Sequence, residues 1–180
     1  MGRTTALRQE LKRRFFPHVE SRGFMRDESE LPRTIHFRRF TSDKVEVFSL
    51  IWDKYGHPRF NIRFNNAPIH GVIVRGSHIP AARIHPQDPS FALALLRKPG
   101  PYVRHWWQLK MPLLERIKTW KSEYTPKQVV DSVLMAYPEM EVWWESGVIG
   151  PHVYAPLDTK GGYVLAERSP SQPSDGRADA

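Results

Sequence analysis

Arg38, Arg59 and Arg63 fall in segments that read as β-strands, and Arg104-His105-Trp106-Trp107 sets a cation and an imidazole beside two indoles. Cations interleaved with flat rings suit a phosphate-and-base surface. A guanidinium fork matches phosphate oxygens, and each stacked base is worth ~1–3 kcal/mol. If Arg33–Phe40, Val45–Trp52 and Arg59–Asn65 pair in that order, His36, Arg38, Arg59 and Arg63 share a face with Asn61 and Asn65. One parity of the middle strand would add Phe48 and Trp52 to it. The competing use of that face is as a floor for the C-terminal helices, with the aromatics as core and the arginines at the rim. The strand signature of RNA-binding sheets is missing. The Arg104–Trp107 run can line a pocket, with indole faces for a ring or apolar ligand and Arg104 for an anionic group. The same tryptophans can instead anchor the junction of sheet and helices.

Other reactive groups carry less. His70, His78, His85 and His105 are separated by 8, 7 and 20 residues, without the HxxxH or HExxH spacing that puts two imidazoles on one helical face. They read as surface or hydrogen-bonded histidines, and no metal or other cofactor is expected. Glu141 and Glu145 stand at i, i+4, a spacing at which like charges repel and mark a solvated face. There is no GxSxG elbow, no GxxxxGK loop and no GxGxxG turn. Binding is therefore favoured over catalysis. A hydrolase or transferase would have to centre on His105, in a cleft with a shifted titratable group.

The 180 residues carry a net charge of +8, unevenly spread. Residues 1–66 hold 14 basic and 8 acidic side chains, residues 67–124 hold 9 and 3, and residues 125–180 hold 4 and 8. Clustered cations concentrate anions, so the first two-thirds suit an anionic partner. Without cysteine there is no disulfide framework, thiolate zinc site or cysteine nucleophile, and a reducing, cytoplasmic setting is permitted. No stretch approaches the ~20 apolar residues of a membrane span, so no membrane partner is expected. Ala6 spoils an acylation motif after Met1-Gly2, and Pro17-His18 follows Arg13-Arg14-Phe15-Phe16 where an export signal needs an apolar run. The chain reads as unprocessed and soluble.

These side chains need a scaffold, and its clearest part is the hairpin over residues 45–65. Phe60, Ile62 and Phe64 alternate with Arg59, Asn61, Arg63 and Asn65, giving one oily and one cationic face, while Gly56 and Pro58 mark the turn. Val45–Trp52 is apolar at both parities, as in a strand covered on both sides. Thr4 or Thr5 can cap a leading helix reaching Arg22, with Leu7, Leu11, Phe15, Phe16 and Val19 as its stripe, Pro17 kinking or dividing it and Gly23 ending it. Ile69–Val74 is a candidate fourth strand, Phe91–Leu96 a short helix or strand, and Tyr102–Leu109 another strand. Pro112 opens a helix whose apolar stripe is Leu113, Leu114, Ile117, Trp120 and Tyr124. Thr125, Pro126 and Gln128 form the start of the next, with Val129, Val130, Val133, Leu134 and Tyr137 inward. Pro138 restarts a short helix bearing Met140, Trp143 and Trp144, closed by Gly147. The expected class is α+β: an antiparallel meander of three to five strands packed with an N-terminal helix and a C-terminal helical segment. It forms one domain over residues 1–166, with a disordered tail over 167–180.

Gly23-Phe24, the run Trp52-Asp53-Lys54-Tyr55-Gly56-His57-Pro58-Arg59-Phe60, the Trp106-Trp107 pair, and Glu145-Ser146-Gly147 with Gly150-Pro151-His152 together resemble the bacterial DUF4304 group over residues 5–155. The resemblance implies an α+β meander and carries no reaction, cofactor or partner. The expectation is a non-enzymatic binding or interaction domain of the bacterial cytosol, its partner another protein or an anionic ligand such as nucleic acid. The alternative is a nucleic-acid-binding module using the basic, aromatic-bearing sheet face.

Overall fold

The alternation around Phe60 is realised in the longest strand of a computed structural model that describes residues 2–27, 33–74, 76–88, 92–100 and 105–156. Strands β1 (Met25–Arg26), β2 (Thr34–Phe40), β3 (Lys44–Trp52) and β4 (Arg59–Pro68) form the antiparallel meander. A separate hairpin follows, β5 (Val72–Val74) with β6 (Ser77–Ile79), so the expected fourth strand leaves the main sheet. The sheet is completed by β7 (Leu93–Leu95), β8 (Trp107–Gln108) and β9 (Val153–Tyr154). β7 and β8 both pair with β4, and β9 pairs with β7, giving seven strands in all. Of the segment Tyr102–Leu109, the described residues 105–109 contain β8 as their one strand; residues 101–104 lie outside the described residues, as does the tail 167–180.

Facing partners share a side, so register decides what each face carries. Phe37 pairs with Phe48 and Phe48 with Phe64, while Leu50 pairs with Ile62 and Trp52 with Phe60. This is the oily face, and Phe48 and Trp52 belong to it; the cationic face instead receives the parity of Val45, Val47, Ser49 and Ile51. Phe37 and Phe48 stack with centroids 4.7 Å apart and planes 6° from parallel. Each such fully buried ring contributes roughly 1.5–3 kcal/mol, so this row dominates the core.

Two sets of helices cover the oily face. The leading one comprises α1 (Arg3–Glu10), a π-turn segment Leu11–Phe15 and α2 (Phe16–Glu20). Pro17 has no N–H for the carbonyl four residues back, and a widened turn immediately before it, with the Phe16 N–H bonded to Leu11 O, lets the helix continue. Its cap is Gly2 and not Thr4 or Thr5; the Thr4 hydroxyl donates instead to Gly56 O at 3.0 Å, docking the helix start on the hairpin turn. Gly23 ends the unit at φ +84°, and Phe24 folds back against Phe48 and Trp144.

The second set is α4 (Pro126–Ala136), opened by the reciprocal Thr125–Gln128 capping box, and α5 (Pro138–Ser146), closed by Gly147 at φ +73°. Val129, Val130, Val133, Met140, Trp143 and Trp144 join Leu7, Leu11 and Phe15 in the main core. The C-terminal helices therefore do not lie over the arginines. Their apolar stripes seek the apolar side of the sheet, where no charge has to be desolvated. Among the described residues, no helix is long and apolar enough to cross a membrane.

The cationic face has a smaller cover of its own. Val45, Val47 and Ala67 pack under Ala81 and Ile84 from the proline-rich connection, which satisfies both parities of β3. α3 (Leu113–Thr119) departs from expectation: Leu113, Leu114, Ile117 and Trp120 are exposed and none of the helix's residues is buried, whereas Tyr124 of the expected stripe is half-buried and packs against the main core.

Candidate functional site

The cationic face of the sheet divides into three zones along β4. At one end the guanidinium of Arg38 is buried: it pairs with Asp27 at 2.7 Å and donates to the carbonyl of Ala82. Arg38 is thus a positioning residue that anchors the connection 81–88 onto the sheet. Asn65 anchors the same connection further along, its Nδ2 donating to Pro86 O at 2.9 Å.

Between these anchors and the other end of the strand, the connection stands off the sheet and leaves a hollow of about 350 Å³. Its floor is Thr34 and His36 from β2, Ser49 and Ile51 from β3, and Arg63 from β4; its wall is His85, Pro86, Gln87 and Asp88. Ser49 lies directly between His36 and Arg63 in the strand register. Its Oγ shares a 2.7 Å hydrogen bond with His36 Nδ1, and the His85 ring lies 4.3 Å from that of His36. The Asp88 carboxylate accepts from the His85 backbone N–H at 2.7 Å, closing the wall loop on itself. Burial disfavours the charged form of Arg63, with nearby Tyr154 acting the other way. Asn61, across from Ile51, is buried with an Oδ1 that has no hydrogen-bond partner among the described residues. Asn61 is not part of the hollow's lining; the hollow itself offers the Arg63 guanidinium, two imidazoles, hydroxyls and the Gln87 amide within one concave surface.

The third zone is at the hairpin turn. Asp53, only 3% exposed in its side chain, takes Arg59 Nε and a terminal Arg59 nitrogen at 2.8 and 2.6 Å on one oxygen. The other oxygen meets His57 Nδ1 at 2.8 Å and the Tyr55 N–H at 2.9 Å. Burial alone would raise this carboxyl; the hydrogen bonds from His57, Arg59 and the Tyr55 backbone outweigh it and hold the group well below the ordinary carboxylate range. Arg59 also lies over Trp106, 4.4 Å from the ring centroid. Its charge is thus committed to a turn clip and a cation–π contact.

The adjacent tryptophans part company at the start of β8, which begins at Trp107. Trp107 is wholly buried in the main core with Nε1 donating to Leu95 O at 3.1 Å, whereas Trp106 stays on the cationic face. His105 packs against Trp106 at 4.7 Å and is not part of the hollow's lining. Arg104 lies outside the described residues. Of the sequence candidates, Arg63 reaches the hollow, Arg38 supports its wall, and Arg59, His105 and Trp106 form a neighbouring cluster. Trp107 belongs to the core.

Ser49, Gln87 and Asp88 carried no sequence signal. Ser49 interrupts an apolar strand without a motif, and the wall residues acquire their place only through Arg38 and Asn65. Glu141, expected on a wet face, is bound to Arg39 at 2.5 Å and accepts from the Tyr137 hydroxyl, also at 2.5 Å. Arg39 further bridges to buried Glu46 at 2.6 Å, tying α5 to the sheet edge. Among the described residues no group of three or more His, Cys, Asp or Glu side chains is placed to hold a metal ion.

Two histidines on this face give stability a pH dependence. His36 is pushed down to about 4 by burial and then by His85; His105 is pushed down to about 4 by burial, then by Arg63 and Arg59. Both are neutral when folded but take up protons near 6.5 when unfolded. Their contribution is complete above that value and is lost as the pH falls toward 4. The urea midpoint should fall between pH 7 and pH 5, and His36→Gln with His105→Gln should flatten the decline. An equally steep decline in the double variant would contradict this.

Compared with family models, curated proteins and solved structures, the chain matches none.

Proposed function

We propose that this protein is a binding domain that holds a small anionic ligand, bearing a phosphate or carboxylate, in the hollow of the cationic sheet face. The observation that carries the reading is the convergence of Arg63, His36 and His85 on one concave surface of about 350 Å³. A hollow of that size takes a small molecule, at the lower end of ordinary ligand pockets. Arginine supplies the fork that a phosphate or carboxylate needs, and the imidazoles and Thr34 supply further donors. The net charge of +8 raises the local concentration of anions. The Ser49–His36 pair is read as a hydrogen-bonding element of the floor and not as a nucleophile, because Ser49 is only 2% exposed. The resemblance to the DUF4304 group and a cytoplasmic setting belong to this proposal as expectations and add no chemistry to it.

The alternative is a strand of nucleic acid along the same face, supported by the excess of cations in the first two-thirds of the chain. It is the weaker reading, because Phe48 and Trp52 face the core and Trp106 already carries Arg59.

Calorimetric titration with inorganic phosphate, pyrophosphate and adenosine monophosphate at low salt tests the proposal. At least one should bind with saturation, and Arg63→Ala should weaken it roughly 10- to 100-fold, the loss of one charge-assisted hydrogen bond of ~1.5–3 kcal/mol. No binding by any of the three, or full affinity in Arg63→Ala, would remove the reading. Tighter, steeply salt-dependent binding of single-stranded DNA or RNA would favour the alternative.

A further inference from the structure

A second surface, separate from the hollow, is built by α3 and the residue that ends it. Leu113, Leu114 and Ile117 are 67, 74 and 64% exposed and Trp120 is 95% exposed, although they make a regular apolar stripe. The excursion is held firmly from its other side. Tyr124 N–H donates to Leu109 O at 2.7 Å and Met111 N–H to Ser122 O at 3.3 Å, closing its base. Glu115, on the opposite side of the helix from the stripe, pairs with Lys98 and accepts from the Tyr124 hydroxyl. The apolar face is thus presented by an anchored helix.

Trp120 adds an independent sign. At φ +55° it is the one non-glycine residue with left-handed backbone among the described residues. Glycine is the ordinary occupant at a helix end, and a bulky residue there is held against its conformational preference. The indole, Leu113, Ile117, Arg116, Lys121 and Ser122 line a shallow groove of about 390 Å³. Arg116, Lys118 and Lys121 are exposed around the stripe and make no ion pair among the described residues.

We infer that this groove docks an acidic amphipathic segment of another protein, its apolar side chain seated between Ile117 and Trp120 and its carboxylates on Arg116, Lys118 and Lys121. Charge selects this occupant. In a two-fold contact between copies the same patch meets itself, which would set these three cations against their own counterparts. A lipid surface fits less well, because α3 is only seven residues long and its hollow receives a discrete side chain. An exposed apolar stripe with a charged rim is the usual mark of a protein contact.

The test uses the full chain and a labelled, designed helical peptide with leucine at i, i+4 and i+7 flanked by glutamates, beside a twin flanked by lysines. Fluorescence anisotropy should show saturable, salt-sensitive binding of the glutamate peptide and at least tenfold weaker binding of the lysine twin. Ile117→Glu should abolish binding without changing the melting temperature. Trp120→Gly should weaken binding at least tenfold while holding or raising the melting temperature, an outcome that a merely structural tryptophan would not give. Several results would overturn the inference. They are failure of the glutamate peptide to bind, equal binding of both peptides, and a fall in melting temperature in both variants. Uptake by phosphatidylserine vesicles that Trp120→Gly removes would overturn it too, as would a sedimenting dimer that Trp120→Gly dissociates.

Discussion

Trp144→Ala is expected to destabilise the fold by roughly 3–5 kcal/mol, the range of large-to-small replacement of a packed aromatic. Trp144 is 2% exposed and meets Phe24, Phe48 and Phe64, with centroids 5.2, 6.4 and 5.8 Å away. Its ring closes the contact between α5, the leading helical unit and the sheet. Its Nε1 also donates to Asn65 O at 2.9 Å inside the core. Trp144→Phe keeps most of the ring contact but loses this hydrogen bond, so an intermediate cost of about 1–3 kcal/mol is expected. Urea unfolding of the two variants measures both. A loss below 1 kcal/mol for alanine would mean that α5 does not lie on the sheet as described. Because Asn65 also holds Pro86 through its side chain, Trp144→Ala should loosen the wall of the hollow as well.

The second large effect is expected at Asp53. Removing a buried carboxylate that satisfies an arginine and a histidine typically costs 3–5 kcal/mol, and the partial exposure of Arg59 places Asp53→Ala near the lower end, about 3 kcal/mol. The sign of the accompanying pH dependence follows from the depressed carboxyl. The unfolded chain takes up a proton near pH 3.8, whereas the folded clip resists it. The stabilisation is therefore complete above that pH and drains away as the pH falls further toward the folded value. Wild type should lose stability steeply below pH 4, and Asp53→Ala should lose less over the same interval. Parallel curves for the two proteins would show that Asp53 does not form the clip. Since Asp53 holds Arg59 over Trp106, the variant should also alter tryptophan fluorescence.

Much of the scaffold was legible because its signals are local. The period of two through Phe60, Ile62 and Phe64 names the oily face of β4, and the Thr125–Gln128 box marks the start of α4 within the sequence itself. The leading stripe from Leu7 to Val19 is equally local. The rest depends on contacts distant in sequence. Leu93–Leu95 is too short to announce itself as a strand and gains its place by pairing with Ile62–Phe64. The wall of the hollow is pinned by Arg38 and Asn65, tens of residues away, so the proline-rich connection gives no local sign of facing a ligand. Periodicity in α3 showed that one side is apolar, but amphipathicity says nothing about what covers it. Arg59 gives no local sign of being paired, because Asp53 reaches it only once the hairpin turn has formed.

The two faces of one sheet divide the labour. The oily face takes all the helices of the main core; among the described residues, the opposite face is covered by the anchored connection and, near the turn, by Trp106. Arg38, Arg59 and Arg63 are alike in the sequence, and the fold gives them different work: one supports a wall, one closes a turn, one faces a hollow. Only the last has the setting to meet a ligand.

The most direct measurement of that claim is an amide and imidazole NMR titration of the full chain with pyrophosphate at low salt. Saturable shifts are expected, concentrated at His36, Ser49, Arg63 and residues 85–88, and Arg63→Ala should suppress them. Shifts spread evenly over the exposed lysines and arginines without saturation, or saturating shifts elsewhere that Arg63→Ala leaves unchanged, would contradict it.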